Sequence, residues 1–224
     1  MDNQQQLHYW QEEHGHREYD HPVVQHFAHQ RLEYLNSIIK LGDIESALDV
    51  GCGNGFSTYA ISTKVSKIFG GDRSGYMLMR NPLKNQGCLS QFDAFYLPFP
   101  DNTFDFVYGW EILHHISHPE IVINEMQRVS RHYVLIIEPN RINPIQFAYA
   151  LIDREHFWVL RYKLKYMKSL MRLAGLEVVH DSSGGYVFPN ITPIWLLPFL
   201  SKLPYHSKFG ISNWVLGSKY NSYT

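Results

Sequence analysis

An α/β fold, doubly wound around a mostly parallel seven-stranded sheet, is predicted by three features of the sequence. Short apolar runs alternate with amphipathic stretches along the chain. The glycine-rich turn Gly51-Cys52-Gly53-Asn54-Gly55 follows the first of those runs directly. The run His132-Tyr133-Val134-Leu135-Ile136-Ile137-Glu138 is apolar at successive positions, as parallel strands covered on both faces are.

Each element has a local reason. Residues 22–42 read as a helix, with Pro22 suited to the first turn, Val24, Ala28, Leu35 and Ile39 as its stripe, and Gly42 as terminator. Ala47-Leu48-Asp49-Val50 is a strand that runs into the glycines, and a helix follows over Phe56 to Thr63. A second strand spans Lys67 to Asp72, and Ser74 caps a helix over Gly75 to Asn85. A third strand near Leu89 to Phe92, the turn 98–102 and a fourth strand from Phe104 to Tyr108 continue the alternation. Pro119 to Val129 reads as a helix burying Val122, Met126 and Val129, ahead of the fifth strand. Leu160, Leu164, Met167, Met171 and Ala174 share one helical face that Gly175 ends, Leu176 to His180 is a strand, and Trp214 to Lys219 is the last. The reading is one domain: an N-terminal helical cover (1–42), a core (47–180), an insertion (181–212) over one end of the sheet, and the last strand (213–219).

Composition narrows the function classes. A chain of 224 residues, 45% hydrophobic and 15% aromatic, can bury a large core. Its 20 Lys+Arg against 21 Asp+Glu supply no overall basic field, so nucleic acid is not an expected partner. Cys52 and Cys88 have no CxxC spacing, which argues against a disulfide framework or a cysteine zinc site and suits a reducing compartment. The polar start of the chain lacks the apolar core of a signal peptide, so a cytoplasmic location is expected. The apolar stretch Val187 to Leu200 is short and holds three prolines, so no transmembrane segment is expected. His8, His14, His16, His21, His26 and His29 crowd the N-terminal part without a carboxylate-histidine motif, and no metal is expected.

A strand feeding glycines and then a helix places backbone N–H groups at the carboxyl edge of a parallel sheet, where α/β folds bind ligands. The spacing here is Gly51-x-Gly53-x-Gly55, and Asp72 follows Gly51 at a distance suited to ribose hydroxyls. Ala47 to Gly55 resembles the first signature of class I S-adenosylmethionine-dependent methyltransferases. Gly71-Asp72-Arg73-Ser74 looks like that family's ribose-binding strand end. Gln91-Phe92-Asp93-Ala94, followed by Leu97-Pro98-Phe99 and Phe104 to Val107, is similar to its adenine-binding segment. Trp110-Glu111-Ile112-Leu113-His114-His115-Ile116 resembles the segment bordering the methionine part of the cofactor. The resemblance covers residues 47 to 180.

It implies S-adenosyl-L-methionine as cofactor, held by Asp49, Gly51, Cys52, Gly53, Gly55, Asp72, Arg73, Asp93, Ala94 and Trp110. Asp49 would orient the glycine loop and face the cationic end, Asp72 would accept the ribose hydroxyls, and Asp93 the adenine N–H. Arg73 would pack along the adenine or stay in solvent. Asp105, at the start of a strand, lies at the opposite edge and is read as structural.

Methyl transfer from a sulfonium is an in-line displacement, so a general base is needed only for a protonated acceptor. His114, His115 and Glu138 follow strands at the active edge and are the candidates, with one imidazole expected to face the substrate. Tyr9, Trp10 and Tyr19 are candidate lid residues. Arg161, Lys165, Lys168 and Arg172 form a basic stripe which, with Val187 to Leu200, gives a minority reading of peripheral membrane contact. The expected acceptor is a small molecule, a glycan or a lipid, with oxygen slightly favoured because candidate bases are present. The competing readings are a non-catalytic S-adenosylmethionine-binding protein and a nicotinamide-dependent oxidoreductase, the latter disfavoured by the glycine spacing.

Overall fold

Seven strands form one sheet in the order β3-β2-β1-β4-β5-β7-β6. They are β1 (Ser46–Val50), β2 (Lys67–Asp72), β3 (Leu89–Gln91), β4 (Phe104–Trp110), β5 (Ser130–Pro139), β6 (Glu177–Gly184) and β7 (Ser212–Ser218). The computed structural model describes residues 17–152 and 156–219. The first five strands pair in parallel, while β7 lies antiparallel between β5 and β6. Strand order reverses between β1 and β4, so the connections leaving their carboxyl ends diverge and open a crevice.

Alternate residues of the central strands supply two apolar layers. On one side Phe106, Tyr108, Ile137 and Trp214 pack with Val23, Phe27 and Leu35 of α1 (Pro22–Ile38) and with Ile61 of α2 (Phe56–Ser62). On the other, Leu48, Val107, Ile136 and Val215 meet Val122 and Met126 of α4 (Pro119–Val129). Met167 and Met171 of α6 (Leu164–Leu173) complete that layer. The expected bounds of α4 are the observed ones. Asp105 sits at the amino end of β4, where its carboxylate accepts from the Ser46 N–H at 2.9 Å and lies 3.1 Å from Arg131.

Several boundaries differ from the sequence reading for local reasons. Helix α1 stops at Ile38 because Ile39 is extended, and Gly42 belongs to a 3₁₀ turn, Leu41–Asp43. Ser74 does cap α3 (Gly75–Arg80), its Oγ accepting from the Met77 N–H at 3.2 Å. That helix ends early because Asn81 turns extended and its Oδ1 accepts from the Leu83 N–H instead. Strand β6 continues past His180 to Gly184, so the irregular insertion is 185–211, with one short helix, α7 (Leu197–Leu200). The sequence reading assigns no element between Arg141 and Val159, yet α5 (Pro144–Ile152) and a 3₁₀ turn (His156–Arg161) fill most of it. Leu160 therefore lies in that turn and not on the face of α6. No helix among the described residues is long and apolar enough to cross a membrane.

Ile136 is fully buried between Gly109 of β4 and Val215 of β7. Ile136→Ala leaves a cavity in a layer that cannot collapse, at an expected cost of about 3–4 kcal/mol. Urea titration should show a lowered midpoint with an unchanged slope; an unchanged midpoint would mean this layer is not the load on which the sheet rests.

Candidate active site

Three glycines shape the turn after β1. Gly51, Gly53 and Gly55 have φ values of +75°, +49° and +85°, a region that side chains with a Cβ rarely occupy. A Cβ at Gly51 would stand 2.2 Å from Ile112 Cδ1, so this position needs glycine for space as well as for conformation. The end of β2 holds the loop. The Gly51 and Cys52 N–H groups both donate to the Gly71 carbonyl, at 2.8 and 3.0 Å. The Gly53 N–H donates to Asp72 Oδ2 at 2.9 Å, and the Ser74 N–H to Asp72 Oδ1 at 2.8 Å. The Arg73 N–H also donates to this carboxylate, so three backbone N–H groups fix its orientation.

Between this loop, the end of β3 and the end of β4 lies a cavity of about 300 Å³. Of the sequence candidates, Gly51, Cys52, Gly53, Asp72, Arg73, Asp93, Ala94, Trp110, His114 and His115 line it. Asp93 Oδ1 accepts from the Phe95 N–H at 3.0 Å, and its other oxygen lies 3.8 Å from Arg73 Nε. Phe92, Phe95, Met77 and Ile112 add flat or apolar wall. Burial, followed by the charges of Asp49 and Asp72, pushes the Cys52 thiol well above its ordinary range, so it stays protonated.

Three candidates are not among the lining residues. Gly55 caps the start of α2, where a Cβ would meet the Asn81 amide at 2.3 Å. Glu138 is fully buried, and its oxygens accept from the Leu113 and His114 N–H groups and pair with His114 Nδ1 at 2.7 Å. It therefore fixes the segment after β4 and has no path to a substrate. Asp49 is also fully buried, and its Oδ2 accepts from the Ser57 and Thr58 hydroxyls at 2.7 and 2.8 Å, so it anchors α2 to β1. Tyr19 packs on Tyr59 and is not a lining residue, while Tyr9, Trp10, His8, His14 and His16 lie outside the described residues. Arg17 fills the covering role, donating to the Pro189 and Thr192 carbonyls at 3.1 and 2.8 Å where the insertion meets the cavity.

Glu111 is a lining residue to which the sequence reading gave no role. It has φ +60°, an uncommon conformation for a residue with a side chain, directly after β4. Its carboxylate accepts from Arg31 Nη2 at 2.8 Å and lies 3.2 Å from Ser212 Oγ. Arg31 is 1% exposed, hydrogen-bonds Ser212, and stacks 3.8 Å above Phe27 and 4.9 Å from Trp110. Neither the spacing nor the composition signals this cluster, because it joins residues 181 positions apart.

A family model described as "Methyltransferase domain" matches residues 48–137. Phosphatidylethanolamine N-methyltransferase of Cereibacter sphaeroides is 30% identical over 155 residues, spanning 62% of this chain and 74% of that protein. The chain is a class I S-adenosylmethionine-dependent methyltransferase. A tRNA (carboxymethyluridine(34)-5-O)-methyltransferase of Schizosaccharomyces pombe is 28% identical over 128 residues, and the match covers 54% of this chain and about half, 53%, of that one. Among solved structures, a SAM-dependent methyltransferase of Thermotoga maritima, named a possible histamine N-methyltransferase, superposes with a TM-score of 0.67 at 18% identity. That match covers 88% of this chain and 92% of the other. The cofactor of this methyltransferase is S-adenosyl-L-methionine, and the cavity suits it: a loop without side chains at the close-approach positions, carboxylates beside it, and apolar walls.

Burial pushes the Asp49 carboxyl up from 3.8 to about 6, against the hydrogen bonds from Ser57 and Thr58. A carboxyl that titrates higher in the folded chain binds its proton more tightly there. Its stabilising contribution is full below about pH 4 and lost as pH rises through about 6, an effect of up to about 3 kcal/mol. Relative to Asp49→Asn, the wild type should therefore lose thermal stability between pH 5 and 7.5; parallel melting curves over that range would contradict the assignment.

Proposed function

We propose that the methyl acceptor is the headgroup of a lipid carrying an amine, received beside Glu111 and His115 with the cofactor on the glycine loop. The observation that carries this reading is the Glu111 carboxylate on the cavity wall, held against a buried Arg31. In this reading the backbone of Gly51 to Gly53 and the carboxylate of Asp72 hold the nucleoside. Asp93, Ala94 and Arg73 bracket the base, and Trp110 borders the amino-acid end. The cofactor supplies a methyl group on a cationic sulfur. The protein's task is to exclude water, align the acceptor and remove its proton.

An oxygen acceptor rested on three bases, His114, His115 and Glu138. Glu138 is spent on backbone N–H groups and on His114 Nδ1, which leaves His114, His115 and Glu111 at the wall. Arg31 and Ser212 both hold Oε1, so in this reading Oε2 receives the amine N–H and accepts the proton that the amine must lose before its lone pair can attack. Similarity to an enzyme named for phosphatidylethanolamine supports the same class, and the exposed apolar segments beside the cavity suit a lipid better than a free sugar.

With labelled S-adenosylmethionine and detergent-dispersed phosphatidylethanolamine, label should enter the lipid. Glu111→Gln should lower kcat by roughly a hundredfold while S-adenosylhomocysteine binds as to the wild type. Transfer confined to hydroxyl acceptors or to RNA, or an unchanged kcat in Glu111→Gln, would overturn the reading.

A further inference from the structure

Exposed apolar surface is concentrated at one corner of the molecule. Of 18 large hydrophobic side chains exposed among the described residues, 11 fall within residues 142–151 and 191–209. Both segments leave from the same place in the sheet, since Ser212 at the start of β7 pairs with Pro139 at the end of β5 and with Gly184 at the end of β6. They are also tied together. Asn143 Nδ2 donates to the Phe209 carbonyl at 2.7 Å, and Asn140 Nδ2 to the Lys208 carbonyl at 2.9 Å.

Helix α5 has the sequence Pro-Ile-Gln-Phe-Ala-Tyr-Ala-Leu-Ile, with one polar residue. A helix apolar on every side belongs in a core or in lipid, yet Ile145 and Leu151 are 54% and 60% exposed. In the insertion Ile191, Trp195 and Phe199 are 63–70% exposed, although the same segment reaches the cavity through Pro189 and Asn190. The charge of these two segments is of one sign: residues 142–151 and 191–209 hold Lys202 and Lys208 and no Asp or Glu. From residue 182 onward there is no Asp or Glu, and Lys202 and Lys208 stand exposed among the apolar side chains.

We infer that this corner docks on the surface of an anionic lipid bilayer. Ile145, Leu151, Trp195 and Phe199 enter the boundary between headgroups and acyl chains, where apolar burial and the amphipathic indole are both favoured. Lys202 and Lys208 meet the lipid phosphates, and the absence of carboxylates from 182 onward removes repulsion from them. RNA would satisfy the lysines but leave the apolar side chains in water. The inference rests on the lipid-headgroup reading for its purpose, since docking here brings the cavity wall at Pro189 and Asn190 towards the headgroups; its evidence is the surface alone.

Co-sedimentation of the full chain with extruded vesicles at 0.15 M salt tests it, comparing pure phosphatidylcholine with a mixture containing phosphatidylglycerol. The wild type should bind the anionic vesicles at least tenfold more tightly. Lys202→Glu with Lys208→Glu should abolish that preference, and Trp195→Ser with Phe199→Ser should remove binding to both, while all variants keep wild-type methyl transfer to detergent-dispersed acceptor. Absence of vesicle binding by the wild type, a dimer in solution that buries this corner, or tRNA binding lost in the same variants would overturn the inference. Vesicle binding without methylation of any lipid would sustain the surface and refute the acceptor; methylation of micellar lipid without vesicle binding would do the reverse.

Discussion

The Asp72 carboxylate, held between the Gly53 and Ser74 N–H groups, is the contact on which the cofactor site depends. It closes the end of β2 over the loop that leaves β1, while the Gly71 carbonyl takes two further N–H groups of the same loop. Without these bonds, three glycines at alternate positions of the turn would be free to move, because glycine loses the most conformational freedom on ordering. With them the loop is held in one conformation, with Gly51 and Gly53 on the cavity wall. Gly71 has a matching constraint, since a Cβ there would stand 1.9 Å from the Phe92 ring that forms the next wall.

A second cluster stands at the cavity wall, where the proposal places the acceptor. Arg31 from α1, Glu111 after β4 and Ser212 at the start of β7 meet at one point. Burying an unpaired guanidinium or carboxylate is costly, so each needs the other. The N-terminal helix is thereby tied to the cavity by charge as well as by Phe27 and Leu35 in the core. The antiparallel β7 between β5 and β6 is what delivers Ser212 to this place, and the same topology sends both apolar segments out at one corner.

What was legible in the sequence is what periodicity and caps control. The continuous apolar run of β5, the proline-started helix over 119–129 and the passage from strand through glycine turn to helix after β1 all stand as read. Signals of the wrong kind explain the differences. Helix α5 has no polar face, so no period marks it. Glu138 lies at the expected edge, but sequence position does not reveal that its oxygens are taken by Leu113 and His114. Glu111 has a left-handed backbone and side-chain contacts to α1 and β7, and no local pattern encodes either.

Calorimetric titration with S-adenosylhomocysteine, on the wild type and on Asp72→Ala, bears most directly on the role given to Asp72. Removing a charged partner of the loop, to which the proposal also assigns the nucleoside, should weaken binding roughly ten- to a hundredfold while the far-ultraviolet circular dichroism stays that of the wild type. Equal affinity in the variant, or no binding by the wild type, would contradict it.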